Sequence, residues 1–316
     1  MEQAISVSVI CNTFNHARFI RDALEGFVMQ KTNFAFEVLV HDDASTDGTA
    51  DIIRQYAQQY PQLVLPICQE ENQFSKGVRI TRTFQLPRAR GKYIALCEGD
   101  DYWTDPLKLQ KQFDFMEANP DYALCTCSTV FLDVSTGKKH TKYQINEDRD
   151  FTASELILEE KGRVFQYASF FLKAEVFRQS PRWITTFPVG DYPLSINAAL
   201  NGKVRMLADT MTIYRFNTEG SWTANLRRDP QRAQRIAQRM EQGLLELDED
   251  TDGRYHNIIR QRITLNRYDT ALRRRDWKAL KSKELRPIYR SKPLSIRLKH
   301  RFICQFPGLY DRLRRR

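Results

Sequence analysis

Four short apolar runs, each separated from the next by a polar or helix-type stretch, constrain this chain most. Ile5 to Cys11, Phe36 to Val40, Leu63 to Cys68 and Tyr93 to Cys97 have strand length, and the first is rich in β-branched residues. Between the first two, Phe19, Ile20, Ala23, Leu24 and Phe27 recur at helical spacing across His16 to Gln30. A second helix is expected from Thr49 to about Tyr60, and Gln73 to Arg90 has helical character interrupted by Pro87. Strand–helix alternation of this kind predicts a parallel sheet with right-handed crossovers. In such sheets ligands gather at the carboxyl ends of the strands. Two of the four runs end in acids, at Asp42-Asp43 and at Glu98-Gly99-Asp100-Asp101.

The second acid cluster places three carboxylates within four residues, Glu98, Asp100 and Asp101. Carboxylates this close repel one another unless a cation lies among them, and Mg²⁺ or Mn²⁺ is the usual hard-ligand candidate. The other reading is a solvated acidic turn before a helix, with Asp105 as N-cap and Pro106 at the first helical position. The first cluster sits where a dinucleotide-binding fold keeps its ribose-binding acid. The first strand, however, is followed by Asn12-Thr13-Phe14-Asn15 and not by a G-x-G-x-x-G turn, which argues against a dinucleotide site. The chain also has no phosphate-cradling G-x-x-x-x-G-K-[ST] loop.

The 316 residues suffice for one large domain with an appendage, or for two domains. No run of 18 apolar residues occurs, so no membrane-spanning helix is expected. Met-Glu-Gln-Ala lacks a basic leader, so no secretory signal is expected either. The six cysteines are scattered through apolar runs, and Cys125-Thr126-Cys127 alternates like a strand, which predicts reduced, buried thiols. The net charge of +10 is uneven: Arg273 to Arg316 holds 16 Lys+Arg against 3 Asp+Glu, or +13, which leaves −3 for the residues before it. A basic tail on a near-neutral body argues against a nucleic-acid enzyme and for a tail that meets an anionic surface.

Three stretches together resemble glycosyltransferase family 2. They are the opening strand with Asn12-Thr13-Phe14-Asn15, the block Asp42-Asp43-Ala44-Ser45-Thr46-Asp47-Gly48-Thr49, and Gly91-Lys92-Tyr93-Ile94 leading into Glu98-Gly99-Asp100-Asp101-Tyr102-Trp103. The resemblance covers roughly residues 5 to 222. It implies an α/β fold of the GT-A type, a Rossmann-like nucleotide-diphospho-sugar transferase domain over 1–222, followed by a basic helical region over 223–316. The family's D-x-D begins here with Glu98, a longer carboxylate. By the resemblance, Thr13, Asn15, Asp42, Asp43 and Glu98 bind the nucleotide and Asp100 is the direct ligand of Mn²⁺ or Mg²⁺. A carboxylate suits this independently, since it accepts from ribose hydroxyls or a pyrimidine N3–H. Asp47 reads as a helix-start residue more than a ligand contact.

Further along, helix is expected over Asp105 to Asn119, a hairpin over Tyr122 to Ile145, and a capping box at Thr152-x-x-Glu155. The apolar run Val164 to Leu172 belongs to core or, by the resemblance, to an acceptor-binding wall. Asp191 opens a helix that continues to a cap at Asn201-Gly202. It reads either as a plain N-cap or, by the resemblance, as the catalytic base; a helix N-terminus stabilises an ionised carboxylate by roughly 0.3–1 kcal/mol. Val204 to Leu207 and Thr210 to Phe216 read as two strands. Arg215, Ser221 and Trp222 match a diphosphate-covering loop in the family, and Asn217 stands near a position where some relatives use histidine.

After residue 222, helices are expected over Asp229 to Leu247, Arg254 to Arg275 and Trp277 to Leu285, the first two separated by the acidic Asp248 to Gly253. Ser295 to Arg316 mixes leucines and aromatics with Arg and Lys, a pattern suited to an anionic membrane surface, a protein partner or a solvated cap. The whole implies inverting, metal-dependent sugar transfer from a UDP- or dTDP-sugar to a hydroxyl of a glycan or lipid-linked glycan. The setting expected is surface polysaccharide synthesis (capsule, O-antigen or lipopolysaccharide). The enzyme is expected in the cytoplasm, peripheral on the inner face of the membrane. A non-catalytic sugar-nucleotide or glycan-binding protein and a sugar nucleotidyltransferase are the competing readings; the second lacks its Gly-rich, Arg-containing loop after the first strand.

Overall fold

The computed structural model describes residues 4–141, 143, 145–159, 165–218 and 229–314. Packing divides the chain into two units, one comprising residues 1–156, 160–181 and 189–225, the other 157–159, 182–188 and 226–316. The boundary expected at 222/223 falls outside the described residues.

The first unit opens with β1 (Ile5–Thr13), α1 (Ile20–Val28), β2 (Ala35–Asp42), α2 (Thr49–Gln59), β3 (Val64–Cys68) and β4 (Tyr93–Leu96). These four strands are parallel in the order β3-β2-β1-β4, as the alternation predicts. Their sequences are apolar on both faces because both are covered: Val7, Val9, Ile10 and Cys11 of β1 are fully buried. Ile20, Leu24 and Phe27 of α1 pack on one face. Residues 73–90 form no long helix. They give a short 3₁₀ turn and a wide π-type turn at Thr81–Gln85. The reason lies in Gln85, whose fully buried amide donates to the carbonyls of Cys11 (3.1 Å) and Leu39 (2.9 Å), pinning the ends of β1 and β2 together.

Beyond β4 the sheet becomes mixed. The chain continues through β5 (Tyr102–Trp103), α3 (Lys108–Ala118), β6 (Tyr122–Asp133), β7 (Lys139–Thr141), β8 (Arg149–Phe151), α4 (Ala153–Leu158), β9 (Phe171–Lys173), α5 (Ala174–Arg178), α6 (Trp183–Thr186), α7 (Asp191–Asn201) and β10 (Lys203–Phe216). β9 lies antiparallel between β4 and β6, so the all-parallel expectation ends at β4. A run buried on both faces carries no period that reports strand direction. The two strands expected over 204–216 are one, β10, whose pairing with β6 shifts register around Leu207 to Thr212. The helix after the acid cluster starts at Lys108, not Pro106, because Asp105 caps the preceding turn by accepting from the Leu107 amide (2.8 Å). The capping box forms as read: Thr152 N–H donates to Glu155 Oε2 (2.9 Å) and Glu155 N–H to Thr152 Oγ1 (3.2 Å). Gly202 is extended, not left-handed; it is glycine because a Cβ would sit 2.8 Å from the Asp121 carbonyl oxygen. All six cysteines are free.

Gly91, just before β4, permits a close backbone approach to β1. A Cβ there would lie 2.5 Å from the Ser8 amide nitrogen and 2.7 Å from the Tyr93 carbonyl oxygen, both backbone atoms that cannot step aside. Gly91→Ala is therefore expected to lower stability by about 3 kcal/mol or more, at or above the upper end of ordinary overpacking. Chemical denaturation checks this; a loss under about 1 kcal/mol would show that β1 and β4 can part more easily than their register implies.

The second unit is helical: α6 joins α8 (Pro230–Asp250), α9 (His256–Arg273), α10 (Trp277–Leu280), α11 (Arg286–Ser291), α12 (Leu294–Gln305) and α13 (Pro307–Arg314). Asp229 caps α8 by accepting from Arg232 N–H (2.9 Å). The acidic stretch is not wholly a break: α8 runs on through Asp250, and the turn is made by Asp252 and Gly253, both left-handed. Leu244, Leu247, Ile259 and Ile263 are buried in α8 and α9. Tyr268, Ala271, Leu280 and Leu285 form a second small core under the last helices. No helix among the described residues is long and apolar enough to cross a membrane.

Candidate active site

The carboxyl ends of β1, β2 and β4 meet at one rim, and the loops that leave them are stitched together. Asn15 takes a left-handed conformation, and its amide donates to Ser45 Oγ (2.8 Å) while its side-chain oxygen accepts from Thr46 N–H (2.8 Å). His16 N–H donates to Thr49 Oγ1 (2.9 Å), and Ala17 N–H to Asp47 Oδ2 (2.9 Å). Asp47 also caps Thr49 N–H (3.0 Å), as its sequence context indicates. Asp42 accepts from the Ser45 amide (3.0 Å). Asp43 accepts from the amides of Gln73 (2.9 Å) and Phe74 (3.0 Å) and so anchors the 72–74 loop. Both acids are buried at this rim, and a carboxylate with one or two bonds keeps lone pairs for a further donor.

The acid loop leaves β4 beside β1. Gly99 is required there: a Cβ would lie 2.5 Å from Thr13 Oγ1. Glu98, Asp100 and Asp101 each bring one carboxylate oxygen within 4.8 Å of the others. Glu98 is exposed by surface area, yet desolvation by the surrounding protein, then the charges of Asp100 and Asp191, push its pKa up to about 8. Asp101 is buried, and desolvation followed by the charges of Asp100 and Glu98 raises its pKa well above the usual carboxylate range. Its Oδ1 accepts from Arg215 N–H (2.8 Å); its Oδ2 is buried with no hydrogen-bond partner. Thr13 Oγ1 and His16 Nδ1 are likewise buried without partners, and His16 Nε2 stands 3.9 Å from Asp100 Oδ2. Orphaned acceptors and mutually repelling carboxylates cost free energy that a bound cation would offset. The oxygen-only donor set suits a hard divalent ion.

Arg215 is 7% exposed. Its guanidinium donates to the Asp100 carbonyl (2.8 Å) and pairs with Asp22, and it stacks 4.3 Å from the Tyr102 ring centre. It therefore fixes the backbone of the acid loop. Ser221 and Trp222 lie outside the described residues. Asn217 donates to Asp133 Oδ2 (3.1 Å).

Asp191 is the first residue of α7, half-buried, with Oδ1 accepting from Tyr192 N–H (2.9 Å). It lies close enough to Glu98 to help raise that carboxyl's pKa. The structure thus brings Asp191 beside residues 98–101, about ninety positions earlier in the chain. It adds a residue that the sequence reading did not single out from the run 164–172, Tyr167. That phenol hydrogen-bonds Thr81, which in turn accepts from Asn12 Nδ2 (2.8 Å). Burial, then the charge on Glu98, raises the phenol's pKa. Tyr167 is held from below, since the buried Trp103 indole donates to the Ala168 carbonyl (2.9 Å). The one signal for it was its place in the aromatic run 164–172.

A profile of glycosyl transferase family 2 matches residues 8–180, more than half of the chain. The chain belongs to glycosyl transferase family 2. Among its relatives, the chain is 36% identical over 223 residues to an uncharacterized protein of Mycobacterium tuberculosis, a match covering 68% of the chain and 60% of that relative. It is also 36% identical over 110 residues to the putative teichuronic acid biosynthesis glycosyltransferase TuaG of Bacillus subtilis (35% of the chain, 41% of TuaG). Over 177 residues it is 34% identical to the Escherichia coli UDP-Glc:alpha-D-GlcNAc-diphosphoundecaprenol beta-1,3-glucosyltransferase WfaP (46% of the chain, 67% of WfaP). Residues 1–349 of S. aureus TarS, solved with UDP-GlcNAc, share its fold at a TM-score of 0.62, 18% identity, 92% of the chain and 77% of TarS 1–349. The Pyrobaculum calidifontis mannosyltransferase PcManGT, solved with GDP-Man and Mn²⁺, does so at 0.60, 18% identity, 97% of the chain and 82% of PcManGT. The GT-A architecture with C-terminal helices is the one the resemblance implies.

Proposed function

We propose that the protein transfers a sugar from a UDP- or dTDP-sugar to a hydroxyl of a glycan or lipid-linked glycan, with inversion at the anomeric carbon. The observation that carries this reading is the meeting of Glu98, Asp100 and Asp101 at the end of β4 with Asp191 at the start of α7. Asp100 would hold Mn²⁺ or Mg²⁺, with Glu98 and Asp101 beside it; when bound, the ion neutralises charge on the leaving diphosphate. Asp42, Asp43, Thr13 and Asn15 form the nucleotide side, where buried acceptors suit ribose hydroxyls and a pyrimidine N–H. Asp191 takes the proton of the acceptor hydroxyl as its oxygen attacks the anomeric carbon from the face opposite the diphosphate. The C1–O bond to the diphosphate breaks as the new C1–O bond forms, so no covalent sugar–enzyme species arises. Arg215 holds the acid loop in place during this exchange.

The names of TuaG and WfaP, and the UDP-GlcNAc and GDP-Man bound by the structural neighbours, support a nucleotide-sugar donor and a surface-polysaccharide setting. In that setting the enzyme is cytoplasmic and peripheral on the inner face of the membrane. Inversion is tested by the anomer first released when the protein slowly hydrolyses an α-linked donor in the presence of Mn²⁺ or Mg²⁺, followed by proton NMR before mutarotation. The β-sugar is expected; initial release of the α-sugar would contradict a single displacement with Asp191 as base.

A further inference from the structure

The last three helices leave an apolar and a basic surface uncovered on the second unit. Leu294, Leu298, Phe306, Leu309 and Leu313 are between 50% and 64% exposed. Elsewhere in the described chain only Phe14, Phe74 and Leu107 are exposed among the large apolar side chains, so the tail concentrates this surface. The leucines recur at i, i+4 on α12 (294, 298) and again on α13 (309, 313), which places each pair on one helix face. α12 is docked through other positions: His300 Nδ1 bonds the Tyr268 hydroxyl (2.8 Å), the Arg297 carbonyl accepts from Tyr289 (3.2 Å), and Cys304 packs on the small core. The exposed leucines are thus not the face that holds the helix.

The charge of the same tail is one-sided. Lys281, Lys283, Arg286 and Arg290 line a single groove with Pro287, and no carboxylate lines it. Two of the tail's three acids are used internally. Glu284 pairs with Arg267 (2.7 Å), and Asp276 caps α10 by accepting from Ala279 N–H (2.8 Å). Lys299, Arg301 and Arg312 are exposed on the helices that carry the leucines.

We infer that α11 to α13 form a docking surface for an anionic lipid bilayer, the leucines and Phe306 entering the acyl boundary and the basic groove meeting the headgroups. This deepens the peripheral placement proposed above, but it stands whether or not the chain transfers sugar. Exposed leucines contribute nothing to a phosphate backbone, which speaks against nucleic acid. The tail from Arg273 to Arg316 carries a net charge of +13, and like charge repels a second copy, which speaks against a homodimer through this face. Apolar side chains interleaved with unpaired cations suit the bilayer boundary, where both gain.

The test is co-flotation of the full chain, without nucleotide sugar, with vesicles of phosphatidylcholine alone and of phosphatidylcholine mixed with an equal part of phosphatidylglycerol. Binding to the anionic vesicles only, weakening as salt rises, is expected. The variants L294S/L298S/L309S/L313S and K281Q/K283Q/R286Q/R290Q should each lose about tenfold or more in vesicle partitioning. Their far-UV spectra and melting should match the parent, since every substituted side chain is exposed. Three results would overturn the inference: no flotation of the parent, flotation untouched by both variants, or light scattering that shows the leucines holding two copies together while vesicles bind nothing.

Discussion

Asp191→Asn is expected to slow sugar transfer by about 10²- to 10⁴-fold, the usual contribution of a positioned general base. Asn is nearly isosteric with Asp and keeps an oxygen able to accept from the Tyr192 amide, as Asp191 Oδ1 does at 2.9 Å. The start of α7 therefore stays in place, and so does the helix behind it, whose residues Tyr192 to Ala198 are buried. What is lost is the ability to take a proton. Donor affinity should change by no more than about twofold, because on this account Asp191 meets the acceptor hydroxyl and not the nucleotide. The split between turnover and donor binding is the diagnostic readout. If Asp191→Asn turned over like the parent, Asp191 would be a helix-start residue only, the plain reading its sequence position always allowed.

Asp100→Ala is expected to fail differently. Metal-dependent donor binding should fall by about 10²-fold or more, in keeping with the several kcal/mol that a bound divalent ion contributes at a diphosphate. Stability without metal should not fall and should rise slightly. Asp100 is among the charges that raise the carboxyl pKa values of both Glu98 and Asp101, so its removal relieves repulsion in the folded state. A substitution that harms function while relieving the fold marks a site kept under strain for its ligand. Thermal melting with and without Mn²⁺ separates the two effects. The parent should gain stability from Mn²⁺ with donor, and the variant should not. An equal gain in both would remove Asp100 from the metal site.

Much of this site was readable because its parts are local. The strand ends at Asp42-Asp43 and Glu98 to Asp101, the helix start at Asp191 and the Thr152–Glu155 capping box depend on residues within a few positions of each other. What the sequence hid depends on long-range geometry. Nothing local says that β9 inserts antiparallel beside β4, because a doubly buried strand has no alternation to give its direction. Nothing local says that Gln85 ties the ends of β1 and β2, or that a π-type turn sets it there. Arg215 was matched by the resemblance to a diphosphate-covering loop; nothing local says that its guanidinium reaches the Asp100 carbonyl, over 100 residues away in sequence. Tyr167 was lost in an aromatic run most of whose members, Phe165, Phe170 and Phe171 among them, are core. Gly202 does follow the last residue of α7 as the cap read from the sequence, but what requires glycine there is the distant Asp121 carbonyl, which no local pattern reports.

The most direct test of the central claim is calorimetric titration of the full chain with a panel of UDP-, dTDP- and GDP-sugars, each with and without Mn²⁺ or Mg²⁺. Binding of one UDP- or dTDP-sugar that appears only with the divalent ion, accompanied by slow release of free sugar, is the predicted result. Binding of none of these donors under either ion would contradict it and leave residues 98–101 and Asp191 as features of the fold alone.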